Sequence, residues 1–245
     1  MFRDAYLKLD RADKHIRDAE SAVLALKGVY TSSVEVNAQT GGHSIKYACP
    51  DLERRLIEIA PITGDALHNL RTALDYAWVA AIEGLNLGVT QRTRFPFSKD
   101  AKVLDDTLRE LKIDTACPLL FQKLRIEIQP YPAGRFFLYA LQDADIMDKH
   151  TLLLPVIDYT GASRVSVEDE NGIVRTEDSL GHLGSDGVFC IDFAPNVRIK
   201  DKGELFVSVL FPEGSPFPEF SIPEELFALA HTTRGVVQTI EALVT

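Results

Sequence analysis

Five polar side chains stand within three turns of one apolar stretch, "GDALHNLRTALDYAW", Gly64–Trp78: Asp65, His68, Asn69, Arg71 and Asp75. An imidazole exchanges protons near neutral pH. A guanidinium holds phosphate or carboxylate through paired donors. Proton transfer and phosphate binding are therefore the chemistries this stretch can serve. At 100° per residue, Leu67, Leu70, Leu74, Ala77 and Ala81 share one helix face, while Asp65, His68, Arg71, Thr72 and Asp75 share another. Arg71 precedes Asp75 by one turn, within salt-bridge reach, and Asp65 stands likewise before Asn69. The polar stripe carries no Lys and no Glu, the usual residues of a solvated helix face. Trp78, the only Trp of the chain, lies one turn further on and can wall a cleft. The stripe is either a solvated outer face or one side of a site.

A second cluster, "DADIMDKHT", spans Asp143–Thr151, where a helix should give way to a strand. Lys149 and His150 suit the negative end of a helix dipole. Asp143, Asp145 and Asp148 do not, unless they are solvated, paired or used. If the clusters face each other, His68, Arg71, Asp75, Asp148, Lys149 and His150 form one polar site. A metal held by Asp65, His68, Asp148 and His150 is an alternative, although no short metal-binding motif supports it. No P-loop, G-x-G-x-x-G or G-x-S-x-G motif occurs, and "GHLGSDG" at 181–187 reads as a loop. His15, His43, His182 and His231 stand alone and read as surface or packing residues.

The elements that must position these groups follow from periodicity. Apolar residues from Phe2 to Leu26 recur every three or four positions, predicting an amphipathic helix over 2–27. A β-hairpin is expected over 29–36 and 43–49. Helical periodicity resumes after Pro50, is interrupted at Pro61, and resumes over 62–83. Gly and Pro mark 84–98 as a loop. Further helices are expected near 100–112, 115–127 and 135–147. From Leu152 the chain becomes short runs rich in Val, Ile and Phe, predicting an antiparallel sheet. Asn171-Gly172 predicts a type I′ turn within it. Ser221 and Glu224 have capping-box spacing at the start of a long terminal helix. The fold class is α+β in a single compact unit over 1–245: a mainly helical part, 1–150, with its hairpin, then the sheet and terminal helix, 151–245.

The 245 residues carry a net charge of −10, unevenly spread. Residues 1–150 hold 20 Lys and Arg against 21 Asp and Glu; residues 151–245 hold 6 against 15. A broad basic surface for nucleic acid is thus excluded, and RNA binding would need a local patch in the N-terminal part. Cys49, Cys117 and Cys190 lie too far apart in sequence for a zinc motif or a disulfide framework. No run of about 18 apolar residues exists, so no membrane span is expected. The charged N-terminus lacks a signal peptide's apolar core, so a cytoplasmic location is expected.

"GDALHNLRTALDY", then "TRFPF" at Thr93–Phe97 and "DKH" at Asp148–His150, resembles a group of uncharacterised bacterial proteins. Their pattern is G-D-x-x-H-N-L-R-S-A-L-D-H, an F-P segment, then D-K-H-R. The chain departs from it at Thr72, Tyr76 and Thr151, and the likeness covers mainly residues 50–155. Arg71 and the residue five places on also resemble the Arg-x4-His motif of HEPN domains. That likeness implies a metal-independent endoribonuclease of RNA processing or defence, acting as a homodimer. Its Arg would hold the scissile phosphate and its His would move the proton of the attacking 2′-hydroxyl. Arg71 matches the Arg, but Tyr76 occupies the His position and is a poor base at neutral pH. The substantial sheet after 150 also departs from a plain HEPN bundle.

The expected site therefore takes His68, Arg71 and His150 as catalytic groups and Asn69, Asp75, Asp148 and Lys149 as substrate-binding groups, with no metal or cofactor. Two functions stand: a HEPN-like RNA-processing enzyme, or a non-enzymatic interaction or regulatory protein whose polar residues fix helix packing. The first predicts an open cleft with unpaired His and Arg. The second predicts Arg71 closed onto Asp75 or Asp148 and no cavity.

Overall fold

The computed structural model describes residues 1–181 and 187–245. His182 and most of the "GHLGSDG" segment lie outside them. The chain is α+β. Helix α1 (Arg3–Ala25) leads to a hairpin, β1 (Thr31–Val36) and β2 (His43–Ala48), and then to α2 (Leu52–Gly84). Short helices α3 (Ala101–Glu110), α4 (Ile113–Ala116) and α5 (Pro118–Lys123) precede α6 (Phe136–His150). Strands β3 (Val156–Glu168), β4 (Val174–Gly181), β5 (Val188–Phe193), β6 (Arg198–Asp201) and β7 (Glu204–Leu210) follow, and α7 (Ile222–Val244) closes the chain.

The helices supply most of the core, and β2, β3, β5 and β7 add Ile45, Val165, Phe189 and Val209 to it. Small residues at Ala5, Ala12 and Ala19 of α1 and Ala66, Ala73 and Ala77 of α2 are buried, and the two helices pack along one another. Helix α7 packs on both, and α6 packs on α2 and α7. Leu67, Leu70, Leu74 and Trp78 are fully buried, so the apolar face of α2 is the one inferred from its spacing.

Helix α2 runs through Pro61 without a break, where the sequence predicts an interruption. Pro61 cannot donate to the carbonyl of Ile57, at a cost of about 3 kcal/mol in a helix interior. Burial of four large side chains downstream offsets that loss, at roughly 1.5–3 kcal/mol each. The helix expected near 115–127 is broken instead. Proline disfavours helical backbone in the residue before it, and Cys117 is extended at φ −147°, ψ 83°. The segment then ends in a π-helical turn, Leu124–Ile128.

The strands form two antiparallel sheets. β5 pairs with β2 and joins the N-terminal hairpin in the order β1-β2-β5. The sequence places all the late strands in one sheet, because alternation reports a strand but not its partner. In the second sheet β3 has β4 on one edge and β6 and β7 on the other. The Asn171-Gly172 turn is not type I′. Among its residues only Gly172 has positive φ, +77°. The Asp169 carboxylate accepts from the N–H groups of Asn171 (2.9 Å) and Ile173 (3.0 Å), which holds a wider turn closed by a left-handed glycine. Ser221 is the N-cap of α7, but its side chain makes no capping bond and its backbone bridges to Leu210. Among the described residues no helix is long and apolar enough to cross a membrane.

Candidate functional site

The polar stripe of α2 faces α6 across an open cleft of about 500 Å³. His68, Arg71, Thr72, Asp75, Tyr76 and Val79 line it from α2; Gln142, Asp145, Ile146 and Lys149 line it from α6. The loop after α2 adds Thr93 and Arg94. Spacings of three and four residues on both helices put these side chains on facing surfaces.

Asp145 organises one end. Only 6% of its side chain is exposed. The His68 Nδ1–H donates to its Oδ1 at 2.9 Å, and Lys149 Nζ donates to its Oδ2 at 2.5 Å. With Nδ1 turned to the carboxylate, Nε2 is left towards Thr72, whose hydroxyl lies 3.5 Å away. The His68 side chain is 49% exposed. A buried carboxylate on Nδ1 fixes the ring and its tautomer and leaves Nε2 as the proton acceptor.

Asp75 organises the other end. Arg71 Nη1 lies 2.6 Å from Asp75 Oδ1, an ion pair without the alignment of a hydrogen bond. The same Oδ1 accepts the backbone N–H of Phe95 at 2.8 Å and so ties the loop to α2. Arg94 Nε stands 3.9 Å from Oδ2. The guanidinium of Arg71 lies 4.7 Å from the centroid of Phe97, a cation–π contact that fixes its plane. Phe97 in turn packs edge-on against Phe95, and Phe95 against Trp78. Trp78 is therefore fully buried beneath the "TRFPF" loop and does not wall the cleft. The cleft presents three permanent cations, Arg71, Arg94 and Lys149, against two carboxylates. Each of the three stands within ion-pair distance of one of the two, so the cleft carries a single excess positive charge on an acidic chain.

The structure brings together His68, Arg71, Asp75 and Lys149 from the expected set. It places the other three elsewhere, because neighbours on a helix diverge by 100°. Asn69 faces α1, where its Nδ2 donates to the Asp65 carbonyl (2.7 Å) and its Oδ1 accepts from Lys8 (3.2 Å). His150 does not line the cleft; with Phe136, Met147 and Ser215 it lines a shallow, mostly apolar groove of about 510 Å³ that adjoins the cleft at Ile146. Asp148 lies against Gly64, where an added Cβ would meet its carboxylate. Its Oδ1 faces the Leu153 N–H at 3.5 Å. Asp65, His68, Asp148 and His150 hold no common centre, and no metal-ligating cluster occurs among the described residues.

Burial pushes the Asp148 carboxyl above the ordinary aspartate range; Asp145 and Asp65 add to this, while the Leu153 N–H and His68 oppose it. A carboxyl whose pKa rises on folding contributes stability below its unfolded pKa and loses it as pH climbs through the folded one. Asp148→Asn is therefore expected to be more stable than the wild type at neutral pH. The difference should shrink as pH falls into the carboxylate range. Urea midpoints measured across that range check this, and a variant less stable at neutral pH would refute it.

Asp145 and Arg94 are missing from the site expected from sequence. A signal existed for Asp145, four residues before Lys149, but the helix expected near 135–147 stops short of Lys149, whereas α6 runs on to His150. Arg94 reaches the cleft only because Phe95 bonds to Asp75, a loop contact that has no periodicity. The cleft is open while His68 and Arg71 are both paired, so neither arrangement expected from sequence is met whole. Comparisons with protein-family models, with curated proteins and with solved structures found no match for this chain.

Proposed function

We propose that the cleft is an acid–base site that cleaves a phosphodiester of RNA without a metal ion. The observation that carries this reading is the buried Asp145 on His68 Nδ1, at 2.9 Å, beside a cation-lined cleft. His68 Nε2 takes the proton of a ribose 2′-hydroxyl. The 2′-oxygen forms a bond to phosphorus, the bond to the 5′-oxygen breaks, and that oxygen gains a proton from the imidazolium or from water. Arg71 and Lys149 stabilise the non-bridging oxygens as charge builds on them. Arg71 is held for this by Asp75 and Phe97. In the HEPN-like reading the proton carrier moves from position 76 to His68, one turn before the Arg. His150 has no part in this reading, since it lines the adjoining groove and not the cleft.

The test is incubation of single-stranded RNA with the protein in excess chelator. Products ending in 2′,3′-cyclic phosphate are expected, and a 2′-deoxy substitution at the cut site should block cleavage. Intact RNA across a set of sequences would overturn the proposal. A non-enzymatic reading has its own support, because both cleft carboxylates already hold cations. In that reading the ion pairs lock α2 to α6 and to the loop, and their loss changes stability alone.

A further inference from the structure

Tyr76 is the aromatic residue among the described residues lining the cleft. It is 43% exposed. Nearby rings are taken up by one another: Phe95 packs on Phe97, and Phe97 on Tyr139. Tyr76 has no hydrogen bond or ring partner among the described residues. Val79, one turn further along α2, also lines the cleft and is aliphatic. The cleft thus has polar groups that suit a phosphate and, further along α2, one exposed flat ring beside an aliphatic side chain. At a rise of about 1.5 Å per residue, Arg71 and Tyr76 are roughly 7–8 Å apart along the helix axis. That is within reach of a phosphate and its own nucleobase.

We infer that Tyr76 is a stacking platform for a nucleobase, which makes unpaired RNA, and not duplex, the substrate class of the cleft. The inference rests on the reading of the cleft as a phosphate site. In a duplex the base faces are covered by their neighbours, whereas unpaired bases splay out onto aromatic side chains. Every base has a π-face, so the platform tolerates any sequence. The ring, and not the hydroxyl, supplies the contact, so phenylalanine can replace tyrosine here.

The experiment is calorimetric titration of the full chain with adenosine monophosphate and with ribose 5-phosphate. These share the phosphate and sugar and differ in the base. Wild type and Tyr76→Phe are expected to bind the nucleotide at least about ten-fold tighter than the sugar phosphate. Tyr76→Ala should bring the two ligands to similar affinity. Thermal melts confirm that the exposed substitution leaves the fold intact. If the preference survives in Tyr76→Ala, or is absent from the wild type while ribose 5-phosphate still binds, the stacking role falls and the phosphate site stands. Loss of the preference in Tyr76→Phe would assign the contact to the hydroxyl and overturn the inference. If the wild type binds neither ligand, the inference falls together with the phosphate reading.

Discussion

His68→Ala is expected to lower RNA cleavage by about 10²–10⁴-fold, the usual contribution of a positioned acid–base group. The loss should appear in the chemical step and not in binding, since Arg71 and Lys149 still hold the phosphate. Stability should fall by about 1 kcal/mol, because the bond to the buried Asp145 is lost while Lys149 keeps its own. A loss of cleavage far beyond the unfolded fraction separates an acid–base role from a packing role, which would leave any cleavage proportionate to folded protein. Asp145→Asn tests the support beneath the imidazole. It keeps the shape but removes the charge that holds both His68 and Lys149. Its expected loss is smaller than that of His68→Ala, because the ring remains in the cleft. Single-turnover cleavage measured beside thermal melts checks both variants. Equal cleavage by wild type and His68→Ala would remove His68 from the reaction.

Asp75→Ala should be the most destabilising change in the cleft, by roughly 2–3 kcal/mol. Breaking a buried pair costs about 3–5 kcal/mol, and the side chains of Arg71 and Asp75 are 12% and 19% exposed. Residual solvent lowers the figure. Three contacts vanish together: the ion pair with Arg71, the bond to the Phe95 N–H, and the approach of Arg94. Arg71 is left as a nearly buried cation, and the loop over Trp78 loses its tie to α2. Replacing both partners, as Asp75→Leu with Arg71→Leu, should recover part of the stability, because no unpaired charge remains. Urea denaturation of the three proteins tests this. A single variant as stable as the wild type would show that the ion pair is not what seats the loop.

What could be read from the sequence divides along physical lines. Periodicity is local, so the amphipathic helices, the hairpin and the late strands were legible from Ala5–Leu26, Leu67–Trp78 and the Val-rich runs after Leu152. Partners are not local. Nothing in "GVFCIDF" says that β5 pairs with β2, and nothing in Pro61 says that downstream burial carries α2 through it. The two polar clusters were legible in the sequence; that His68 and Lys149 face one another across a cleft was left open by it, because the packing of α2 on α6 is not local. Within each cluster the residues in the cleft were not legible, because a 100° step turns Asn69 to α1 and His150 to the neighbouring face of α6. Asp145 was hidden by its place among three carboxylates. Its role rests on burial, which a charge count does not report.

In the proposed reaction the cleft delivers a phosphate to Nε2 of His68. The direct measurement is nitrogen NMR of the His68 ring during titration with uridine monophosphate. A saturable shift at Nε2 is expected, with Nδ1 remaining hydrogen-bonded to Asp145, and loss of the response in Arg71→Ala. A ring that stays unmoved at saturating nucleotide, or one whose Nδ1 and not Nε2 faces the ligand, would contradict it.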